Sequence, residues 1–299
     1  MIPPALPLAN RRRAFVVALA GALVLLLVVV PSALASGIFP EHQGGSRNAN
    51  DIATLYKIIA AIGLVIFLLV EGLLITAVIR FRRRGQADKR EPALVHGNTP
   101  LEVGWTIAAA TIVAAIAAVT FIFLPKIKNP PNSGDNGLQQ LAGIEFASLE
   151  QPSPPNGKAL HINVVGQQYI WRFDYVGIKP RLTENRPVYA YYAMVVPTNT
   201  TVILQINSAD VAHSWWIPKL GGKADAIPGH NNYTWFKVDK PGIYHGQCAE
   251  LCGNNHADMR AVVDAVPPDQ FEAWVRQQRS NILAAQQALA AQRKAGQGL

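Results

Sequence analysis

The chain has 299 residues, of which 50% are hydrophobic and only 15% are charged; this balance argues against a wholly soluble protein and indicates segments that face lipid. With two cysteines, a multi-disulfide framework is excluded. The net charge is +8, and the basic excess of the first part lies at residues 11–13 and 80–84, beside apolar runs. It therefore indicates membrane topology and not a nucleic-acid surface, and we expect no nucleic-acid partner.

The first apolar run predicts a secretory signal peptide. Ala14–Val30 follows three arginines and precedes Ala33-Leu34-Ala35, a small-x-small cleavage pattern, so we expect removal of residues 1–35. A retained membrane helix is the alternative, because 17 residues span about 26 Å and the hydrocarbon core is about 30 Å thick.

Two longer apolar runs predict membrane-spanning helices at residues 55–79 and 101–124. The first is followed at once by RFRRR, and arginines collect on the cytoplasmic side of a membrane. We therefore expect the loop 80–100 inside and the segment 36–54 and everything after Pro125 outside. The chain is predicted to be a multi-pass protein of a bacterial plasma membrane, in contact with lipid.

Short β-rich runs follow a Pro/Gly/Asn-rich linker at residues 125–157. Runs of four to eight residues separated by Pro, Gly and Asn predict an antiparallel sandwich or barrel over residues 158–267. The last segment, residues 268–299, predicts a helix whose few apolar positions are Phe271, Trp274, Val275 and Ile282.

Both cysteines lie in the stretch GQCAELCGNNHADM. Cys248 and Cys252 are followed by His256 and Met259, and these soft or borderline ligands select copper over calcium or magnesium. A single blue-copper site needs only one cysteine, whereas two adjacent thiolates can each bridge two metal ions. The pattern indicates a dinuclear copper centre. A disulfide in an exported domain is the alternative, although a Cys-x3-Cys pair in a turn requires strained geometry.

Each copper of such a centre needs one imidazole. His256 supplies one, and the candidates for the other are His161, His213, His230 and His245. His213 ends a β-rich run, the usual place for an upstream ligand. Met259 and the backbone carbonyl of Glu250 are candidates for weaker ligands.

The motifs HSWWIPKLGGKADAIPGHNNYTWF and PGIYHGQCAELCGNNHADM resemble the dinuclear copper (CuA) domain of subunit II of haem–copper cytochrome c oxidases. NTPLEVGWTI and GQQYIWRFDY resemble the start of that family's second membrane helix and its aromatic segment. The resemblance implies a two-helix hairpin, a cupredoxin-like Greek-key β-sandwich and a C-terminal helix. It also implies six copper ligands, which are His213, Cys248, Glu250 through its carbonyl, Cys252, His256 and Met259.

The resemblance further implies the activity of a cytochrome-c oxidase. Two coppers that share one electron would accept electrons from cytochrome c and pass them to haem in subunit I. That subunit carries the haem and CuB and reduces O2 while protons are translocated, and subunit III is a further expected partner. No CxxCH occurs, so no c-type haem is expected on this chain.

Two aromatic residues are candidates for electron acceptance over the copper. Trp171 matches one of the family's tryptophans, and Tyr169 stands where the electron-accepting tryptophan is expected. Packing within the sandwich is the alternative role for both.

The expected docking surface for the donor is less acidic than in the family. Asp174 and Asp210 match its acidic positions, but Lys179, Arg181 and Arg186 occupy a loop that carries acids in relatives. We expect a donor that is not a strongly basic soluble cytochrome, such as a membrane-attached one.

Three further acids draw attention. Glu102 matches the family's acid at the entrance of a proton-uptake channel, and an interfacial role is the alternative. The carboxylate of Glu250 resembles one that binds magnesium shared with subunit I. Glu71 lies within the first span and should face protein, where a protonated packing role is expected.

Other assignments remain open from the sequence. A nitric-oxide reductase subunit with the same copper domain, or a non-enzymatic exported copper-binding protein, are the alternatives. A quinol oxidase subunit would lack the copper ligands, and nitrous-oxide reductase carries a propeller domain that this chain lacks.

Overall fold

A computed structural model describes residues 45–82, 96–138, 151–178, 181–183 and 186–296. The predicted signal peptide, residues 1–35, lies outside the described residues, as do Lys179 and most of the loop expected between the two spans.

Two long helices come first: α1 at Arg47–Arg80 and α2 at Thr99–Lys128. Both are long and apolar enough to cross a membrane. Large apolar side chains such as Leu69 and Phe121 are mostly exposed on them. A helix that is apolar around its whole circumference is suited to lipid or to other membrane helices.

Helix α1 begins at Arg47, eight residues before the predicted span. This first part is less apolar, and it packs on the β domain through buried Ala49 and Ala53. The Nδ2 of Asn48 donates to the carbonyl of Trp235 at 3.2 Å, and the Nε1 of Trp235 donates to the carbonyl of Ile127 near the end of α2 at 2.8 Å. One tryptophan therefore joins both helices to the β domain.

The β domain contains ten strands among the described residues. They are β1 Leu160–Gln167, β2 Ile170–Val176, β3 Val188–Tyr191, β4 Ala193–Pro197, β5 Thr201–Ser208, β6 His213–Trp215, β7 Ala224–Ala226, β8 Asn232–Lys237, β9 Gly242–Gln247 and β10 Arg260–Val266. A five-stranded sheet has the order β3-β2-β1-β5-β8, and a three-stranded sheet has the order β4-β10-β9. Strands β6 and β7 form a separate pair.

The pairing is not purely antiparallel. Strand β1 runs parallel to β5, with Ile162 opposite Leu204, and β10 runs parallel to β4. The expectation of an antiparallel sandwich or barrel was wrong in this respect. Both parallel pairs join strands that are far apart in sequence, which short-range turn signals do not reveal.

The core between the sheets is formed by alternate residues of the strands. Trp171, Phe173 and Tyr175 of β2 are fully buried, and the Tyr175 hydroxyl both accepts from the Val195 N–H and donates to its carbonyl. Burying large apolar side chains provides the main stabilisation of such a sandwich, about 25 cal/mol per Å². The buried hydroxyl is satisfied, so this core carries no penalty there.

Helix α3, Pro268–Gly296, packs on the outside of the sandwich through its first half. Phe271, Val275 and Ile282 are buried, while Trp274 is partly buried beside Tyr175 with ring centroids 5.0 Å apart. The later, Ala- and Gln-rich turns are exposed.

Candidate metal centre

The ligand loop, residues 248–259, connects β9 to β10. Its two ends are held together, because Gln247 pairs with Arg260 and the Cys248 N–H donates to the Met259 carbonyl at 2.8 Å. The Ala249 N–H donates to the Ser214 carbonyl at 2.9 Å, which ties the loop to β6. Backbone hydrogen bonds therefore fix the loop to β6 and to the ends of β9 and β10.

Both cysteines of this loop are free and buried, with 2% and 4% of their surface exposed. Their Sγ atoms lie 3.9 Å apart, a non-bonded separation. Because thiolate–metal bonds are about 2.3 Å long, one metal ion can contact both sulfurs without movement of the backbone. The arrangement suits shared metal coordination.

Each sulfur has one imidazole beside it. His213 of β6 is fully buried and its Nδ1 lies 3.9 Å from the Cys248 Sγ. The Nδ1 of His256 lies 3.5 Å from the Cys252 Sγ. Within the described residues, the group of His, Cys or acidic side chains whose ligand atoms all lie within 4.8 Å of one another is His213, Cys248 and Cys252.

The two weaker candidate ligands also lie against the sulfurs. The Met259 Sδ is 3.9 Å from the Cys252 Sγ, and the Glu250 carbonyl oxygen is 3.3 Å from the Cys248 Sγ. The structure thus brings together all six predicted ligand positions. It places the three other candidate histidines elsewhere: His161 in β1 contacts Gln151, and His230 and His245 are exposed.

The donor set fits copper. Two thiolates, two imidazole nitrogens and a thioether are soft or borderline ligands, which favour copper over the hard cations. His213, Cys248, Cys252 and Met259 are buried and His256 is partly exposed, so water has little access to the two sulfurs.

Asp210 orients His213, a role that the sequence pattern does not reveal. The His213 Nε2 lies 2.8 Å from the Asp210 Oδ1, so this nitrogen carries the proton and donates it. The Nδ1 is left without a proton and faces Cys248, as a metal ligand must. The two residues are three positions apart in sequence, but the sequence indicated Asp210 only as a surface acid.

The Asp210 carboxylate is held by several donors. Burial opposes its ionisation, but the backbone N–H groups of Gln168 and Val211 and the His213 ring lower the pKa of Asp210 to about 2. Gln168 belongs to the turn between β1 and β2, and its Nε2 also donates to the Cys252 carbonyl at 2.6 Å. Asp210 and Gln168 therefore join β6, the β1–β2 turn and the ligand loop.

Burial raises the pKa of the Cys252 thiol to about 11, and the neighbouring Cys248 thiol adds to the effect. Cys252 therefore carries its thiol proton at neutral pH. A bound cation must displace this proton, so metal binding and proton release are coupled.

Known proteins share both parts of this chain. The family described as cytochrome C oxidase subunit II, periplasmic domain, matches residues 160–266, and the transmembrane domain of the same subunit matches residues 37–123. A cytochrome c oxidase subunit 2 of Cereibacter sphaeroides is 34% identical over 259 residues, which cover 80% of this chain and 81% of the relative. This chain belongs to the cytochrome c oxidase subunit II family.

Two further proteins are similar to this chain. Cytochrome c oxidase subunit 2 of Alkalihalophilus pseudofirmus is 35% identical over 196 residues, which cover 64% of this chain but only 48% of that longer protein. The crystal structure of the periplasmic domain of subunit II of the cytochrome oxidase of Bradyrhizobium japonicum is 36% identical, covering 41% of this chain and 94% of that one, with a TM-score of 0.35.

Membership confirms the resemblance and the fold class predicted from the sequence. The subunit II chain is a membrane-anchored component of a respiratory oxidase that associates with other oxidase subunits, and its His/Cys/Cys cluster is consistent with copper binding. The nitric-oxide reductase and copper-binding alternatives are not favoured, because both family regions match the oxidase subunit.

The aromatic segment of this subunit II contacts the centre on two sides. Trp171 is fully buried, and its ring meets the His213 imidazole edge-on with centroids 5.8 Å apart. Tyr169 is partly buried and lies against the ligand loop at Gly253. Gly253 has φ +130°, and a Cβ there would lie 2.6 Å from the Tyr169 hydroxyl, so glycine permits this contact.

The acids at the expected docking positions are both engaged. The Asp174 Oδ1 lies 2.9 Å from the Arg172 Nη2, and Asp210 is hydrogen-bonded to His213. The Glu250 side chain is exposed. The negative charges of Asp174 and Asp210, which were expected on the docking surface, are therefore already paired with Arg172 and His213.

Glu102 takes part in capping helix α2. Its Oε1 accepts from the Asn98 N–H at 3.0 Å, while the Asn98 side chain accepts from the Leu101 N–H at 3.3 Å. This reciprocal arrangement satisfies two donors at the start of the helix. The carboxylate is exposed at the helix end, opposite the end that meets the β domain.

Proposed function

We propose that this chain holds the dinuclear copper centre CuA of a cytochrome c oxidase. The ligands are His213, Cys248, the Glu250 carbonyl, Cys252, His256 and Met259. The observation that supports this most is that the two sulfurs, 3.9 Å apart, each have one imidazole Nδ1 within 3.9 Å. When bound, two coppers supply one-electron transfer with the charge shared between them.

In this proposal, electrons come from a cytochrome c and leave to haem in subunit I, where O2 is reduced and protons are translocated. The chain's own residues hold the ligands rigid and exclude water. Ser214 anchors the loop, Asp210 fixes the His213 tautomer, and the β-sandwich buries both sulfurs. A rigid, dry site lowers the rearrangement that accompanies electron transfer.

Tyr169 and Trp171 are proposed to carry the electron from the donor to the centre. Tyr169 reaches the outer side of the ligand loop, and Trp171 touches His213 from inside. These contacts place Tyr169 beside the loop that carries Cys252 and Trp171 beside His213, so each aromatic residue could pass an electron toward a different copper ligand.

A metal analysis of the purified protein tests the central proposal. We expect two coppers per chain, near-infrared absorption, and an electron paramagnetic resonance signal of one unpaired electron shared by two copper nuclei. The His256→Asn variant should lose the shared-electron signal, whereas His245→Asn, an exposed histidine of β9, should keep it. One copper per chain, or a Cys248–Cys252 disulfide in the mature protein, would overturn the assignment.

The donor is proposed not to be a strongly basic soluble cytochrome. Asp174 is paired with Arg172, and Arg181 and Arg186 add positive charge to the nearby loop. A basic partner gains little steering from such a surface. Turnover with a basic cytochrome c should therefore change little with salt, and a steep loss of activity as salt rises would contradict this.

The remaining roles concern ions, topology and partners. We propose Glu102 at the entrance of the proton-uptake path, the Glu250 carboxylate as a ligand of a magnesium ion shared with subunit I, and subunit III as a further partner.

The loop 80–100 is proposed to face the cytoplasm of a bacterium and the β domain the outside of its plasma membrane. Protease treatment of intact spheroplasts should cleave the β domain and spare the loop.

A further inference from the structure

A cavity of about 760 Å³ lies where the β domain meets the ends of both membrane helices. Its walls come from the start of α1, the end of α2, the strand β8 and the segment 151–153. This volume falls in the range of small-molecule sites. It does not include the copper loop, and none of the residues assigned to electron transfer lines it.

The depth of the cavity corresponds to lipid headgroups. Ile52 lines it three residues before the apolar run of α1, and Ile127 lines it three residues after the apolar run of α2. At 1.5 Å per residue, both lie about 4.5 Å beyond the hydrocarbon boundary. The headgroup layer of a bilayer extends about 5–7 Å on each side, so the cavity opens within that layer.

The charge of the cavity favours an anion. Among the described residues that line it, the charged ones are Lys128 and Lys223, and no carboxylate accompanies them. The Lys223 Nζ lies 5.4 Å from the centre of the Trp216 ring, which limits its motion. Lysine near an anionic headgroup contributes about 1 kcal/mol, or about fivefold in affinity.

A second feature selects the type of headgroup. Asn48 lines the cavity with only 3% of its surface exposed. Its Nδ2 donates to the Trp235 carbonyl, whereas its Oδ1 has no hydrogen-bond partner among the residues that the structure describes. A buried acceptor without a donor is costly. A headgroup hydroxyl can satisfy it, whereas an ammonium group would also be repelled by the two lysines.

We infer that this cavity binds the headgroup of an anionic phospholipid, phosphatidylglycerol, in the leaflet that faces the β domain. The phosphate lies between Lys128 and Lys223, and a glycerol hydroxyl donates to the Asn48 Oδ1. The lipid then joins α1, α2 and β8 at one point. This inference does not depend on the copper assignment.

Lipid retention by the purified oxidase complex tests the inference. The complex is exchanged into detergent with isotope-labelled phosphatidylglycerol, and bound lipid is counted by native mass spectrometry. The double variant Lys128→Gln/Lys223→Gln should retain one lipid fewer and bind it about thirty-fold more weakly. The control Lys240→Gln/Lys294→Gln removes the same charge from exposed positions away from the cavity and should match the parent protein.

Further measurements distinguish lipid binding from binding of free phosphate, and loss of the site from unfolding of the variant. The single variants should each weaken retention about fivefold, and an unchanged far-ultraviolet circular dichroism spectrum and thermal unfolding transition show that each variant complex is folded. Equal lipid retention in the double variant and the control would overturn the inference. Displacement of labelled lipid by millimolar inorganic phosphate, or equal retention of phosphatidylcholine, would also overturn it, because the site would not be selective for this headgroup.

Discussion

The hydrogen bond between Asp210 and His213 should control how tightly the copper is held. Replacing Asp210 by Asn keeps the size of the side chain but removes its negative charge. The carboxylate now accepts from His213, Gln168 and Val211. The amide of asparagine has one acceptor oxygen in place of two. Its NH2 group cannot accept a hydrogen bond, so at least one of these donors loses its acceptor.

The magnitude follows from the strength of these contacts. The pKa of Asp210 is lowered from 3.8 to about 2, against the opposing effect of burial. At about 1.4 kcal/mol per pKa unit this corresponds to about 2.5 kcal/mol, and solvent screening at a side chain that is 28% exposed reduces it to roughly 1 kcal/mol. Because partners of ligating histidines typically contribute 10- to 100-fold to metal affinity, we expect at least a tenfold loss.

Copper titration against a competing chelator measures this loss, with the near-infrared band as the readout. The reduction potential of the centre should also rise, because a negative charge near the metal is removed. Asp225→Asn is the matched control, since it removes the same charge from an exposed position on β7. If Asp210→Asn binds copper within threefold of the parent protein and keeps its potential, the carboxylate does not orient His213.

Three further outcomes are expected. Glu102→Gln, which retains an acceptor for the Asn98 N–H, should slow oxidase turnover without changing the rate of copper reduction in stopped-flow measurements; full turnover would exclude a role in proton uptake. Burial lowers the pKa of His161 from 6.5 to about 4. Between these pH values the unfolded chain binds more protons than the folded chain. The free energy of unfolding of the copper-free β domain should therefore fall by about 2 kcal/mol as the pH is lowered from 6.5 to 4. Denaturant titrations of His161→Gln should show a shallower pH slope, and an identical slope would contradict this origin. Because the Cys252 pKa is raised to about 11, copper affinity should rise at least tenfold per pH unit between pH 6 and 8, and a pH-independent affinity would show that no thiol proton is displaced.

The ligand loop was largely predictable because its residues are close in sequence. Cys248, Cys252, His256 and Met259 lie within one turn-rich stretch, so their chemistry can be read without knowledge of the fold. His213 was distinguished from the other histidines by its position at the end of a β-rich run and by the resemblance. The structure adds that its Nδ1 faces the sulfurs.

What could not be predicted depends on contacts between distant segments. The approach of Gln168 to the Cys252 carbonyl joins residues 84 positions apart, and the parallel pairing of β1 with β5 leaves no local signal. The start of α1 at Arg47 was missed for a related reason. Its polar and small residues resemble a loop in sequence, and they form helix where they can pack on β8.

Trp235 fixes the position of the β domain relative to both membrane helices. Its Nε1 donates a hydrogen bond to the carbonyl of Ile127 in α2, and its carbonyl accepts one from the Asn48 side chain in α1. Both membrane helices are therefore hydrogen-bonded to one residue of the sandwich. While these two hydrogen bonds are intact, the β domain cannot rotate about the linker that follows α2. In the proposed function, in which the β domain passes electrons to another subunit, a fixed height above the bilayer would keep the distance of electron transfer constant, and the rate of electron tunnelling falls steeply with that distance.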